Sequence, residues 1–184
     1  MGVCPARATP AQKKCMEGKQ KAINQDYEGA MKDFDEAIKI DPKYAFAYSD
    51  RGFVKARLDD KEGALKDYDE AISIDPKCAP AFHNRAMIKS KKSDLDGALA
   101  DLIEAITHNP VAARSYFQRG VVKKAMDDTD GALKDLDEAI DLDPNLAEAY
   151  QSRGSLKEAK GDADGAKQDL EKAVELNPSL GEKA

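Results

Sequence analysis

The sequence predicts an all-α fold built from one helix pair that is repeated along the chain. An Asp-Pro or Asn-Pro pair recurs every 34 residues, beginning at Asp41, Asp75, Asn109, Asp143 and Asn177. Alanines recur with the same period in two series, which begin at Ala30 and Ala37. Between these markers the apolar residues follow the period of an α-helix. Self-similarity at a fixed period of this length is typical of a stacked repeat architecture.

The repeat also predicts the domain organisation. Of the 184 residues, ten precede the first repeat and four follow the last. We therefore expect a flexible leader over residues 1–10, a single repeat domain over residues 11–180 and a tail over residues 181–184. The five repeats occupy residues 11–44, 45–78, 79–112, 113–146 and 147–180.

Each repeat is expected to form two helices, as its second copy shows in order. The first helix, AFAYSDRGFVKARL, is followed by the polar turn DDKEG. In the second helix, Ala64, Tyr68 and Ala71 fall on one helical face. Asp60 can cap the free N–H groups at the start of this helix. The Asp-Pro pair ends it, because proline disfavours helix at the residue before it.

This pattern resembles the tetratricopeptide repeat. That family has an aromatic residue at the fourth position of the repeat, Gly or Ala at the eighth, Ala at the twentieth and twenty-seventh, and Pro at the thirty-second. The fourth-position residues in this chain are Tyr48, Phe82, Tyr116 and Tyr150. The eighth-position residues are Gly18, Gly52, Ala86, Gly120 and Gly154. The resemblance implies a right-handed superhelical α-solenoid of paired antiparallel helices, with the first helix of each pair lining a concave groove.

The resemblance also implies which side chains face that groove. Carried over to this chain, the family's groove positions include apolar, polar and basic side chains. They are Phe46, Ser49, Phe53, Arg57, His83, Asn84, Met87, Lys91, Arg114, Phe117, Val121 and Lys124. The apolar members form a recognition strip in one interpretation, because apolar patches rimmed by polar residues mark interaction sites. In the other interpretation they pack between adjacent first helices.

Charge separates strongly between the two kinds of segment. The net charge of the chain is −6, but the five first segments carry +14 and the five second segments −20. A groove lined by the first helices would therefore be basic and would favour a partner with acidic residues.

Acidic and basic residues also recur in register with each other. The seventh position carries Arg51, Arg85, Arg119 and Arg153, and the twenty-third carries Asp67, Asp101, Asp135 and Asp169. A lysine occupies the eleventh position of every repeat. We expect structural ion pairs between facing helices, since Arg suits partly buried carboxylate pairing. The alternative is a basic series that binds anions.

These features predict a non-enzymatic protein–protein interaction scaffold that binds a partner peptide with apolar and acidic residues. One alternative is a structural scaffold that self-assembles, for example as a homodimer through the terminal repeats near Leu170 and Val174. Another is a co-chaperone that binds the acidic tails of chaperones through a carboxylate clamp. For that clamp, only Asn84 and Arg114 match the family's binding residues.

Several function classes are disfavoured. No nucleophile–base constellation or Gly-rich phosphate loop stands out, so we expect no enzyme and no cofactor. Three cysteines without a CxxC pair and two histidines disfavour a metal site and favour free thiols in the cytoplasm. The acidic net charge disfavours nucleic acid. No apolar run is long enough to span a membrane, and the acylation signal at Gly2 and Cys4 is weak because Ala6 replaces the expected Ser or Thr.

Overall fold

The computed structural model describes residues 8–183, and within that range the regular structure is entirely helical. Ten α-helices of 13 or 14 residues fall two to each repeat. They are α1 Pro10–Ile23, α2 Tyr27–Ile40, α3 Ala45–Arg57, α4 Lys61–Ile74, α5 Ala79–Lys91, α6 Leu95–His108, α7 Ala113–Ala125, α8 Thr129–Leu142, α9 Ala147–Ala159 and α10 Ala163–Leu176. A 3₁₀ helix, Pro178–Lys183, follows α10. The predicted all-α class of paired helices is confirmed.

The predicted leader lies mostly outside the described residues, and the acylation pattern at Gly2 and Cys4 lies there entirely. Within the described part, Thr9 caps α1 by accepting from the backbone N–H of Gln12, and Gln12 accepts from the backbone N–H of Thr9 in return. This reciprocal pair is a capping box, which satisfies two of the free donors of the helix start.

The second helix of every repeat begins with the same Asp cap. The carboxylates of Asp26, Asp60, Asp94, Asp128 and Asp162 each accept a hydrogen bond of 2.9–3.0 Å from the glycine N–H three residues later. The carboxylate lies directly over that glycine, so a Cβ added at Gly63 would collide with Asp60. This close approach accounts for a glycine in the first turn of five helices, where helix propensity alone would disfavour it.

The turn before each of these caps has a left-handed residue. Gln25, Asp59, Ser93 and Asp127 have φ between 62° and 66°, and the fifth turn has Gly161 at 86°. Backbone N–H groups in this turn bond back to the last carbonyls of the preceding helix, as Asp60 does to Lys55. The turn therefore reverses the chain tightly enough for the two helices of a repeat to pack antiparallel.

The chain forms two compact units, one up to Ile88 and one from Lys89 onward. In the first unit, the buried core is built from an aromatic residue of each second helix, Phe34 and Tyr68, surrounded by alanines. Gly18 lies so close to the Phe34 ring that an added Cβ would be 2.7 Å from it. In the second unit, Leu136, Ile140 and Leu156 belong to the corresponding core. Small residues thus allow close helix packing around one large side chain.

No helix among the described residues combines the length and the apolar character needed to cross a membrane.

Candidate functional site

An open cleft of about 610 Å³ lies in the first unit, where α1, α2 and α3 meet. Its floor is the buried ring of Phe34. The side chains that line it are Lys19, Ala22, Ile23, Gln25, Tyr27, Phe34, Asp50, Phe53 and Arg57. The cleft therefore combines an apolar floor and walls with both signs of charge.

Two large apolar side chains of the cleft are open to solvent. Ile23, the last residue of α1, is 74% exposed, and Phe53 on α3 is 44% exposed. Large apolar residues usually leave water when a neighbouring surface is available. Their convergence on one concavity marks this as a surface suited to an apolar side chain of another molecule.

A polar cluster borders the apolar walls. Lys19 Nζ lies 3.1 Å from Oδ2 of Asp50, and the thiol of Cys15 donates a hydrogen bond of 3.0 Å to the same oxygen. Lys19 Nζ also lies 6.0 Å from the centroid of the Phe46 ring. Oδ1 of Asp50 has neither a hydrogen-bond donor nor an ion-pair partner among residues 8–183. It can therefore act as an acceptor at the cleft.

Burial shapes the protonation of this cluster. Burial raises the pKa of the Asp50 carboxyl, although Lys19 and Cys15 act in the opposite direction. Burial also raises the pKa of the Cys15 thiol to about 12, with a further contribution from the Asp50 charge. A thiol with this pKa is not a thiolate at neutral pH, and the thiolate is the nucleophilic form. The geometry favours binding through hydrogen bonds and apolar contact.

Only some of the predicted groove residues of the first unit line the cleft. Phe53 and Arg57 line the cleft, and both are exposed. Phe46 is 39% exposed on the same helix but lies outside the lining, with its ring 6.0 Å from that of Tyr44. His83, Asn84 and Met87 are partly exposed on α5 and do not line the cleft.

The prediction that Ser49 faces the groove is wrong. Its side chain is buried, with only 1% of the residue exposed. Phe117 occupies the same fifth position in the fourth repeat and packs against a buried cluster that includes Leu146 and, from the next repeat, Ala149. The fifth position of the first helix is thus turned toward a neighbouring helix, and a side chain as short as serine is covered there.

The other predicted groove residues belong to the second unit. Lys91, Arg114 and Lys124 are exposed, and Val121 is partly exposed. Phe117 is partly buried because it packs on the core, which is the alternative considered for the groove aromatics.

The residues assigned to ion pairs form a repeated arrangement, which we call the Arg–Asp–Lys cluster. In the second repeat, Arg51 donates from Nε and Nη2 to the two oxygens of Asp67, at 2.9 and 2.7 Å, and Lys55 Nζ lies 2.8 Å from Oδ2. Asp67 is buried. Three donors therefore satisfy a carboxylate that would be costly to bury alone.

The same cluster recurs in the fourth and fifth repeats. Arg119 and Lys123 contact Asp135, and Arg153 and Lys157 contact Asp169, at 2.7–2.9 Å. Lys89 contacts Asp101 at 2.8 Å, and Arg85 contacts Asp69 at 2.7 Å. Each arginine also lies 5.4–5.6 Å from the ring of the fourth-position aromatic residue of its repeat.

Sequence reasoning missed part of the site. Lys19, Ile23 and Tyr27 line the cleft but were not identified as site residues, because groove positions were assigned only in the second, third and fourth repeats. One signal was present: Ile23 is a bulky apolar residue at a helix end, next to the polar turn. It also missed a second contact of the arginines, with an Asp 16 residues earlier in the chain.

Comparison with known proteins agrees with this architecture. A family model described as TPR repeat matches residues 18–59, and one described as Tetratricopeptide repeat matches residues 47–78, 113–146 and 147–180. No protein with a curated description matches the sequence.

Solved structures share the fold at low sequence identity. The crystal structure of MamA is 25% identical with a TM-score of 0.72, covering 90% of this chain and 96% of MamA. The pilF protein of Pseudomonas aeruginosa is 19% identical with a TM-score of 0.85, covering 91% of this chain and 76% of that one. YrrB, described as a TPR protein with an unusual peptide-binding site, is 22% identical with a TM-score of 0.67, covering 91% and 87%.

Proposed function

The chain belongs to the tetratricopeptide repeat family, and on that premise we propose that it is a non-enzymatic scaffold that binds a partner peptide in the cleft of its first unit. Repeats of this family are protein–protein interaction modules. The observation that carries the proposal is the convergence of exposed Ile23 and Phe53 on one cleft beside Lys19, Asp50 and Arg57.

The apolar part of the cleft would accept an aliphatic or aromatic side chain of the peptide. Burying Ile23 and Phe53 on binding removes apolar surface from water, at about 25 cal/mol per Å². Large apolar anchors surrounded by polar residues are where interface energy concentrates. Tyr27 and Phe34 complete the walls and floor that such a side chain would contact.

The charged part of the cleft would orient the peptide. Arg57 is exposed at the end of α3, whereas Lys19 is already paired with Asp50. Arg57 would therefore favour an acidic residue near the apolar anchor and raise the association rate at low salt. The unused Oδ1 of Asp50 would accept a backbone N–H of the peptide. In the second unit, exposed Lys91, Arg114 and Lys124 support the same preference for acidic partners.

The test compares two phenylalanines on the same helix. Peptides selected from a displayed random library on the whole chain would be measured by fluorescence polarisation. We expect Phe53→Ala to weaken binding about tenfold or more, because an anchor contributes at least about 1.4 kcal/mol. Phe46→Ala is the matched control, since Phe46 has similar exposure but does not line the cleft. Equal affinities of wild type and Phe53→Ala would contradict the proposal.

Self-assembly through α10 is the second candidate function. It is supported by the exposure of Val174 near the end of the chain. The 3₁₀ helix covers part of this side chain, since a Cβ at Gly181 would lie 3.2 Å from Cγ1 of Val174. A size in light scattering that grows with concentration and is lost in Val174→Glu would favour this candidate; a constant monomer mass would exclude it.

We further propose a reducing compartment such as the cytoplasm. The support is that Cys15 and Cys78 are free and buried in the first unit. Free thiols persist where disulfide formation is disfavoured.

A further inference from the structure

Three arginines each donate a hydrogen bond to an aspartate of the preceding repeat. Nη1 of Arg51 donates to Asp35, Nη1 of Arg85 to Asp69, and Nη1 of Arg153 to Asp137, each at 2.7 Å. In every case the acceptor is the residue 16 positions earlier, on the second helix of the repeat before. In Arg51 and Arg153 the guanidinium group is thus shared between two carboxylates.

The fourth repeat lacks this second carboxylate. The residue 16 positions before Arg119 is Ile103, on α6. Arg119 donates from Nε and Nη2 to Asp135 at 2.8 and 2.7 Å, as Arg51 does to Asp67 and Arg153 to Asp169. Its guanidinium carbon lies 5.4 Å from the ring of Tyr116, again as in the other repeats. Among residues 8–183, no carboxylate contacts its Nη1.

The position of Arg119 is therefore fixed while one edge of its guanidinium group remains unused. The side chain is 19% exposed, the same as that of Arg51, which has both partners. Because α6 and α7 contact each other as α2 and α3 do, the repeat register places Ile103 beside this edge. The donor is already oriented, so little side-chain entropy remains to be lost on binding.

The solvent-exposed surface of α6 also carries fewer charged side chains than those of the other second helices. Ile103 is 45% exposed where other repeats have an acidic residue. Ala100 is exposed at the position that carries lysine in Lys32, Lys66 and Lys134. One charge of each sign is thus replaced by an apolar side chain on neighbouring turns of the same face. The result is an apolar surface next to an unused arginine edge.

We propose that this surface, formed by Ala100, Ile103 and the Nη1 edge of Arg119, binds a protein segment that carries a carboxylate next to an aliphatic side chain. The carboxylate would take the place of the missing aspartate and accept from Nη1, a charge-assisted hydrogen bond. The aliphatic side chain would cover Ile103 and Ala100. The site lies on the second unit and is independent of the cleft in the first.

The probe is a phage-displayed library of random 12-residue peptides, selected on the full chain and counter-selected on Ile103→Asp. That variant supplies the missing carboxylate within the chain. Selected peptides should contain Asp or Glu beside Leu, Ile or Val, and Ile103→Asp should weaken their binding at least tenfold. Ile103→Leu, the matched control, should stay within about twofold of wild type because it keeps the apolar surface. Phe53→Ala should not change this binding.

A transplanted site gives a test that does not depend on loss of binding. Lys134→Ala with Asp137→Ile recreates the same surface beside Arg153 on the next repeat. Added to Ile103→Asp, this pair should restore binding of the selected peptides. The proposal is overturned if no peptide is enriched, if enriched peptides lack an acidic residue, if Ile103→Asp binds as well as wild type, or if the transplanted pair does not restore binding.

Discussion

Each buried aspartate of an Arg–Asp–Lys cluster depends on its arginine. Arg51 supplies two of the three donors to Asp67, a third bond to Asp35 and a flat surface against Tyr48. Removing one partner of a buried ion pair leaves a charge that is costly to keep out of water. A single arginine of the cluster therefore has a large effect on stability.

We expect Arg51→Ala to lower the free energy of unfolding by about 2–4 kcal/mol. Lys55 still contacts Asp67, which keeps the loss below that of a wholly unpaired carboxylate. Urea unfolding followed by circular dichroism measures the change. Arg57→Ala, on the same helix but exposed, is the control and should lie within about 0.5 kcal/mol of wild type. Equal stability of the two variants would contradict the structural role of the pair.

The pH dependence of stability provides a second test at this scale. Burial opposes ionisation of Asp169, but Arg153 and Lys157 outweigh it and lower the pKa of its carboxyl below the ordinary 3.8. The unfolded chain then binds the proton more readily than the folded chain in this range. The stability contributed by Asp169 is present above its unfolded pKa and is lost as pH falls through the lower folded value.

Melting temperatures at pH 7 and at pH values from 4 downward would show this effect. The advantage of wild type over Asp169→Asn should be largest at neutral pH and should shrink on acidification. An advantage that grows on acidification would mean that the sign is wrong.

At the scale of the helix, the Asp cap and the glycine beneath it act together. Alanine is favoured over glycine inside a helix by about 1 kcal/mol. At Gly63, however, an added Cβ would displace the Asp60 carboxylate from the N–H that it accepts from at 2.9 Å. Losing such a cap costs about 1–2 kcal/mol.

We therefore expect Gly63→Ala to destabilise the protein by up to about 1 kcal/mol, although propensity alone predicts the reverse. Urea unfolding would measure it, with Ser73→Ala at an exposed position of the same helix as the control for propensity. A Gly63→Ala variant more stable than wild type would show that the cap adapts to the new side chain.

At the scale of the whole molecule, the chain consists of two compact units, and repeat proteins are stabilised mainly by contacts between neighbouring repeats. A local destabilisation should therefore remain local. In hydrogen exchange, Arg51→Ala should speed exchange in α3 and α4 far more than in α9 and α10, and Arg153→Ala should do the opposite. Uniform acceleration along the chain in both variants would indicate a single cooperative unit.

Much of the fold could be predicted from the sequence because its information is local and periodic. The 34-residue period, the Asp-Pro stops and the Asp caps depend on residues close together in the chain. The ion pairs between the basic residues of the first helices and the aspartates of the second helices were also predictable, since matched acidic and basic positions recur in register. The sequence also shows which residue stands 16 positions before each arginine. That Ile103 replaces a hydrogen-bond acceptor became clear only from the bonds that Arg51, Arg85 and Arg153 make in the structure.

The candidate site was predicted less well, because exposure depends on which helices become neighbours. Of the predicted groove residues on α3, Phe53 and Arg57 line the cleft, whereas Ser49 is covered. Lys19, Ile23 and Asp50 enter the site through contacts between α1 and α3.

The sequence by itself determined the helices, their ends and their repeat, because hydrogen bonding and periodicity act over a few residues. Only the tertiary structure decided which apolar side chains stay open to solvent and which arginine edge stays unused. Those outcomes depend on the helix packed alongside, so they follow from distances across repeats that no local pattern contains.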